Sequence, residues 1–552
     1  MTLSDAVAND LHDLGTDVVF GIVSIHNLPI YDALERHGGF RIVTARSEGG
    51  AVNMADAYAR VSGKLGVVLT STGTGAGNAA GGLIEAVTAG TPLLHITGQV
   101  ASEYIDSGRG YIHEFENQLA MLETLGKQAY RVRRAGEGVA TIRKAIAEAL
   151  NPPAGPVSVE IPIDFQARFV DPPALIVSKT DGSPPEPSVL EPVVGKLIGS
   201  KRPVIWSGGG VIRSDSSKPL TKLAELLGAA VITSQAGRGS IPENHPLCIG
   251  HFATYPEVRG LVESADVLLS VGVRFRGNET SNWKMTTPAD HIGIDADRAA
   301  TNRNFQQSDS LAGDAGSILP ALVDMVLAAA PIPKPDYRLE IEQIRNAVRQ
   351  NLRNTMGPWE AVLDAIRETL PEDTVVVRDI TIPNTTWGNR LIEIRRPRSS
   401  VHASGGGIGQ GLPMAVGAQI AAPDRPVVLL GGDGGFLYNV GDLATVRDEQ
   451  LPLVMVIYDD SGYGVIRNIQ DKYLEGRKVG VDLWTPDFVR LADAFRIPAK
   501  RVGNTAAFRA ALGEAINGRR ASLIVVDMEG IGPMNEPFCG PPGGGDLLGG
   551  HE

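Results

Sequence analysis

Asp433 lies in the run Gly431-Gly432-Asp433-Gly434-Gly435-Phe436, directly after the apolar stretch Pro426–Leu430 (PVVLL). A carboxylate at the carboxyl end of a buried strand, flanked by glycines, is suited to a hard cation such as Mg2+. The glycines let the backbone approach a phosphate closely, and their N–H groups can bond it. A second apolar run, Pro452–Tyr458 (PLVMVIY), ends in Asp459-Asp460-Ser461-Gly462-Tyr463-Gly464, which puts Asp460 27 residues beyond Asp433. A helix is predicted between the two runs, near Val440–Glu449. In such a strand–helix–strand unit, two strand ends can lie side by side, so Asp433 and Asp460 could share one ion and, through it, a diphosphate. Gly-Asp-Gly alone is most often a polar turn; the strand, the helix and the second polar turn together are far more specific.

The elements needed to position these groups are visible along the whole chain. Short apolar runs alternate with helical segments, which predicts an α/β chain with mainly parallel sheets and helices on both faces. Predicted strands include Gly66–Ser71, Pro92–Thr97, Pro203–Ser207, Val267–Val271, Thr374–Arg378, Pro426–Leu430 and Pro452–Tyr458. At 552 residues the chain exceeds one hydrophobic core, so three domains are expected. Two Pro-rich stretches, Asp171–Pro192 and Ala330–Tyr337, read as linkers and divide it into 1–170, 190–330 and 350–531. The tail 532–552 is rich in Gly and Pro and is expected to be flexible, with a flap over the site as the alternative.

Composition removes several classes. A net charge of −12 gives no reason to expect a nucleic-acid partner. No apolar stretch reaches the roughly 18 residues that span a bilayer, and the first residues do not read as a signal peptide. The two cysteines, Cys248 and Cys539, make neither a disulfide framework nor a metal-ligand spacing. A cytoplasmic location is expected.

With the anchor and its strands in view, the sequence resembles the thiamine diphosphate enzymes of the acetolactate synthase, pyruvate decarboxylase and benzoylformate decarboxylase superfamily. The Gly-Asp-Gly followed by a polar turn looks like that family's cofactor motif. By this resemblance Asp433, Asp460 and the Gly462 carbonyl bind Mg2+. Gly432, Gly434, Gly435, Ser461, Tyr463 and Gly464 surround the diphosphate. The family usually has Asn-Asn where this chain has Asp459-Asp460, an extra carboxylate beside a diphosphate.

Three further segments join by the same resemblance. Ser404–Pro413 opens a helix predicted over Pro413–Ala421. Its lone Ile408 matches the large apolar residue that bends the cofactor, and the Gly406 carbonyl would accept from the cofactor's amino group. The segment Asp379–Trp387 makes Thr381 and Asn384 candidate diphosphate contacts. Glu48, in Arg46-Ser47-Glu48-Gly49-Gly50-Ala51, reads on its own as a first-turn carboxylate favoured by the helix dipole. By resemblance it is the glutamate that bonds a pyrimidine nitrogen and activates the cofactor. That role needs a carboxyl group held protonated by an apolar site.

The likeness runs nearly the whole chain: Phe20–Leu34, Thr70–Leu83 with Thr74 and Asn78 as candidate cofactor contacts, Gly155–Phe165, and a central segment whose relatives are Rossmann-like. His113 and His26 fall in stretches that line the substrate pocket of relatives, where a histidine could move protons near neutral pH. Tyr463, Val465 and Ile466 are expected to form an apolar wall, and His95 to be a satisfied core residue. Departures include Val23-Ser24, Thr72–Gly75 and Val465–Gln470, so the resemblance does not fix a substrate.

It implies a carbon–carbon lyase or carboligase acting on a small 2-oxo acid, with decarboxylation followed by protonation or ligation of the enamine. It also implies a homodimer or a dimer of dimers (a homotetramer) with each site between subunits. The alternatives are a 2-hydroxyacyl-CoA or oxalyl-CoA lyase and, from another class, a non-catalytic regulatory subunit that binds the cofactor. Glu48, Ile408 and the anchor together argue against the last.

Overall fold

The computed structural model describes residues 1–172, 174, 175 and 185–540. Its eighteen strands form three six-stranded sheets. The first contains β1 (Val18–Gly21), β2 (Arg41–Thr44), β3 (Gly66–Thr70), β4 (Leu93–Gln99), β5 (Gln128–Arg131) and β6 (Pro156–Pro162). The second contains β7 (Pro203–Ser207), β8 (Ala230–Thr233), β9 (Cys248–Gly250), β10 (Val267–Val271), β11 (Asp290–Asp295) and β12 (Asp309–Ala312). The third contains β13 (Val375–Arg378), β14 (Ser400–His402), β15 (Val427–Gly432), β16 (Val454–Asp459), β17 (Ala499–Val502) and β18 (Ser522–Asp527). Every ladder is parallel, as the alternation of strand and helix predicts.

The outer sheets repeat one topology. Their orders are β2-β1-β3-β4-β6-β5 and β14-β13-β15-β16-β18-β17. The central sheet runs β12-β11-β10-β7-β8-β9, winding outward in both directions from the β7–β10 pair. That is the Rossmann-type order, with its switch point between β7 and β10.

The inner strands β15 and β16 are apolar on both faces because both faces are covered. Val427 and Leu429 enter the core shared with the first domain, while Val428 and Leu430 enter the core shared with the second. β16 divides the same way, with Met455 and Ile457 on one side and Val456 and Tyr458 on the other. Parallel pairing brings both strand ends out at the same sheet edge, with Gly432 in register with Tyr458.

Two helices lock the first domain to the third. Glu48–Ser62 crosses Gly411–Ala421, and both are buried almost all round. A Cβ at Gly417 would lie 2.0 Å from the Met54 carbonyl oxygen, so only glycine permits this approach.

Two local readings need correction. Gly-Asp-Gly is not a free turn. Gly432 caps a short helix, Asp433–Tyr438, so Asp433 stands in a first turn, where a carboxylate is favoured. A short 3-10 turn, Val440–Asp442, and the helix Leu443–Asp448 then occupy the region where one helix was expected. The stretch Ala330–Tyr337, read as a linker, contains the start of the helix Pro335–Asn354. Proline suits a first helical turn, and Tyr337 donates its hydroxyl to the Pro203 carbonyl at 3.0 Å. Of the other linker, residues 173 and 176–184 lie outside the described residues.

Gly417→Ala should cost about 1–3 kcal/mol through overpacking. Gly513→Ala, in the helix Thr505–Gly518 with open space around its Cβ, should instead gain roughly 0.5–1 kcal/mol. Chemical denaturation of the two variants checks the opposite signs.

Candidate active site

Asp433 is 1% exposed, and its Oδ2 accepts the Gly462 N–H at 2.9 Å. This bond ties the end of β15 to the turn after β16. The Asp433 and Asp460 carboxyl groups touch. Burial raises the pKa of both, and for Asp433 the neighbouring Asp460 charge raises it further. A buried and a half-buried carboxylate side by side are a poor arrangement for a bare protein and a good one around a divalent cation. The glycines follow from the same crowding. A Cβ at Gly464 would sit 1.6 Å from Asp460 Oδ2, and one at Gly434 would sit 2.7 Å from the Tyr463 ring. A Cβ at Gly462 would meet the Val481 carbonyl oxygen at 2.1 Å. Ser461 has a φ of 57°, a left-handed conformation uncommon outside glycine and typical of functional turns.

The Ile408 loop is held at both ends by carboxylates. Glu85 accepts the N–H groups of Ser404 at 2.6 Å and Gly405 at 2.7 Å. Asp379 Oδ2 accepts those of Gly409 at 3.0 Å and Gly411 at 2.9 Å, and its Oδ1 accepts that of Ile380 at 2.7 Å. Burial nevertheless pushes Asp379 up to about 6. Between these clamps Ile408 stays 36% exposed, a large apolar side chain presented on a glycine loop, and Gly406 has open space around it.

Asp379 is a clamp on the Ile408 loop that sequence reasoning passed over. It follows β13 just as Asp433 follows β15 and Asp460 follows β16, so the same signal could have found it. Of the two candidates named in that segment, Thr381 lies against Gly432. Asn384 has its amide nitrogen engaged by the protein, while its Oδ1 is buried with no hydrogen-bond partner among the described residues. It is 1% exposed, and its Nδ2 donates to the Asp379 and Leu430 carbonyls, each at 2.8 Å.

Glu48 opens the helix capped by Ser47, whose Oγ accepts the Gly50 N–H at 3.0 Å. Its Oε2 accepts from Asn78 Nδ2 at 3.1 Å. Asn78 and Thr74 are both exposed on the short helix Thr74–Asn78. Gly73 packs against His113, since a Cβ there would lie 2.7 Å from the His113 carbonyl oxygen. The His113 and His26 rings meet edge to face at 5.1 Å. Burial and the nearby His113 hold His26 below the ordinary histidine value, so it is neutral at pH 7. Glu48, Asn78, Thr74, His113 and His26 thus form a first-domain group, and Asp433, Asp460, Gly462 and Ile408 a third-domain group. The start of the Glu48 helix is tied toward the latter: Ser47 Oγ donates to Asn439 Oδ1 at 3.2 Å, and Asn439 Nδ2 donates to the Gly409 carbonyl at 2.7 Å.

His95 is fully buried between Thr70 and Ser158, as expected of a core residue. Tyr463 and Val465 are half-buried at the anchor, and Ile466 is exposed. The described start of the tail follows the third domain: Phe538 donates its N–H to Thr386 Oγ1 at 3.0 Å, and Trp359 donates to the Gly532 carbonyl at 2.8 Å. Residues 541–552 lie outside the described residues. No helix among the described residues is long and apolar enough to cross a membrane.

This geometry agrees with the comparisons. Residues 1–121 match the thiamine pyrophosphate enzyme N-terminal TPP binding domain, residues 190–322 the central domain and residues 383–526 the C-terminal TPP binding domain. A protein of Methanocaldococcus jannaschii named as a probable acetolactate synthase large subunit is 31% identical over 564 residues, covering 98% of this chain and 94% of that one. A Pseudomonas aeruginosa protein named as a probable 2-ketoarginine decarboxylase is 33% identical over 501 residues, covering 90% and 88%. The structure of a thiamine diphosphate-dependent 4-hydroxybenzoylformate decarboxylase from Rhodococcus jostii shares the fold, with a TM-score of 0.81 at 24% identity over 96% of this chain and 99% of that one. The chain belongs to the thiamine diphosphate-dependent enzyme family.

Asp379→Ala strips three backbone N–H groups of their acceptor. It should cost about 1–3 kcal/mol for each of those donors left buried and unpaired. The expected outcome is a lower melting temperature and weaker thiamine diphosphate binding, both read from thermal melts with and without the cofactor.

Proposed function

We propose that this chain is a Mg2+-dependent carbon–carbon lyase or carboligase acting on a small 2-oxo acid, in the manner of acetolactate synthases and 2-oxo acid decarboxylases. The observation that carries the reading is the touching pair Asp433–Asp460 at the ends of β15 and β16, a donor set that fits one hard cation. Asp433, Asp460 and the Gly462 carbonyl would hold the ion, with Gly434 and Gly435 offering amides to a diphosphate at the N-terminus of a helix. When bound, thiamine diphosphate supplies a thiazolium carbon nucleophile and an electron sink for decarboxylation.

The chain's own residues account for the rest. Ile408, on its clamped loop, supplies an apolar support that fixes the cofactor's bend. Glu48 holds a proton at the pyrimidine ring, with Asn78 orienting its carboxyl group. His113, beside a neutral His26, is placed to move a proton at the substrate oxygen. Tyr463, Val465 and Ile466 exclude water from the third-domain side.

We also read the working unit as a homodimer or a pair of dimers with sites at the subunit boundary. Exposed apolar side chains on both groups favour this: Ile25 at 75% and Ile112 at 72% on the first domain, Trp484 at 86% on the third.

One observation favours a second reading, an acyl-CoA lyase. A cavity of about 1290 Å³ lies at the β7–β10 switch point, between the central domain and the 87–89 and 150–155 segments of the first. Gly208 and Gly210 pack against Gly272 there, too closely for any side chain. The Arg213 and Arg274 guanidinium groups face it, and enclosure together with the Arg274 charge pulls Arg213 down to about 10. Such a site suits a nucleotide diphosphate.

Glu48→Gln should bind cofactor normally and lose about 10²–10⁴-fold in turnover. Incubating holoenzyme with a panel of 2-oxo acids, with and without acceptor aldehydes, and identifying products by mass tests the reaction; no product from any of them would sink it. Coenzyme A or ADP should raise the melting temperature by several degrees only under the second reading.

A further inference from the structure

The turn that follows β16 carries more negative charge than a cation site requires. Asp433 and Asp459 are buried, and Asp460 is half-buried. Two arginines answer this charge in different ways. Arg501 Nη1 pairs with Asp459 Oδ2 at 2.6 Å and its Nη2 stands 3.8 Å from Asp527 Oδ2, so Asp459 is answered from β17. Arg467 acts on the turn itself. Its Nη1 donates to the Asp460 carbonyl at 3.1 Å and its Nη2 to the Ser461 carbonyl at 3.2 Å. Nη1 also stands 4.0 Å from Asp460 Oδ2, and Nε donates to Asp482 Oδ1 at 3.0 Å.

The placement is not what local preference would choose. Arg467 lies in the first turn of the helix Gly464–Tyr473, the end where the helix dipole disfavours a cation. The side chain reaches back past the helix start to the strained Ser461. Arg467 is the only cation among the described residues that forms an ion pair with Asp460.

We propose that Arg467 is a positioning residue for the cofactor's diphosphate. Its bonds to the Asp460 and Ser461 carbonyls hold the guanidinium at the turn, beside the Asp460 carboxylate. Its charge also offsets the second carboxylate, so that a diphosphate can settle beside Asp433 and Asp460. The inference rests on the reading of this pair as the Mg2+–diphosphate anchor.

A role through charge predicts a split between metal and cofactor. Removing a positive charge from an acidic site leaves a lone cation bound as well or better, but weakens a cation that arrives with a diphosphate. Loss of a merely structural brace would weaken both. The experiment uses the full chain freed of cofactor. Mn2+ binding is followed by electron paramagnetic resonance without cofactor, and thiamine diphosphate binding by calorimetry at saturating Mg2+.

Arg467→Met should raise the thiamine diphosphate Kd about tenfold, equivalent to the loss of one charge-assisted contact, with Mn2+ affinity unchanged or tighter. Arg467→Lys should recover most of the loss. In an Asp460→Asn background, the effect of Arg467→Met should shrink to about twofold. Equal weakening of Mn2+ and cofactor, the same loss in both backgrounds, or no change at all would each overturn the proposal. If the unaltered chain bound no thiamine diphosphate, the anchor reading itself would fall, and this inference with it.

Discussion

Asp433 and Asp460 are a buried and a half-buried carboxylate side by side, an arrangement opposed both by desolvation and by like charge. Nothing in packing alone would retain it. The surrounding structure exists to bear this cost. β15 and β16 bring the two chain segments to one sheet edge, the Gly462 N–H bonds Asp433, and glycines at 434, 462 and 464 make room for groups that no side chain could share. The strain at Ser461 belongs to the same turn. A divalent cation would turn this into a stable coordination site, which makes the protein's least favourable local feature the basis of the proposed function.

The same logic recurs at β13. Asp379 is buried and held up to about 6, yet it spends its oxygens on three backbone amides. It steadies the loop that carries Ile408, while Glu85 of the first domain steadies that loop's other end. The contact between the helices Glu48–Ser62 and Gly411–Ala421, possible only because residue 417 is glycine, then fixes the Glu48 helix relative to the third sheet. The Asp433–Asp460 pair, the Ile408 loop and the start of the Glu48 helix are thus held on one frame.

Much of this was legible in the chain. The parallel sheets followed from apolar runs of strand length separated by helical segments, because strands buried on both faces leave an uninterrupted apolar signal. Pro203–Ser207 and Val267–Val271 were read with their bounds as found. The short helix beginning at Asp433 was not legible, since three nearby glycines argue against a helix and only tertiary burial overrides them. Residue type could not show that the Asn384 amide nitrogen is spent on two strand-end carbonyls. Asp379 was missed although it shares the strand-end position of Asp433 and Asp460. The proximity of His26 to His113 spans two distant segments and becomes visible only once the fold brings them together.

The central claim is that the Asp433–Asp460 pair joins a divalent cation to a diphosphate. Calorimetric titration of thiamine diphosphate into the metal-stripped protein, with EDTA and then with Mg2+, tests it most directly. Tight binding only with Mg2+, abolished by Asp433→Ala, is the predicted result. Equal affinity in EDTA and in Mg2+ would contradict the account.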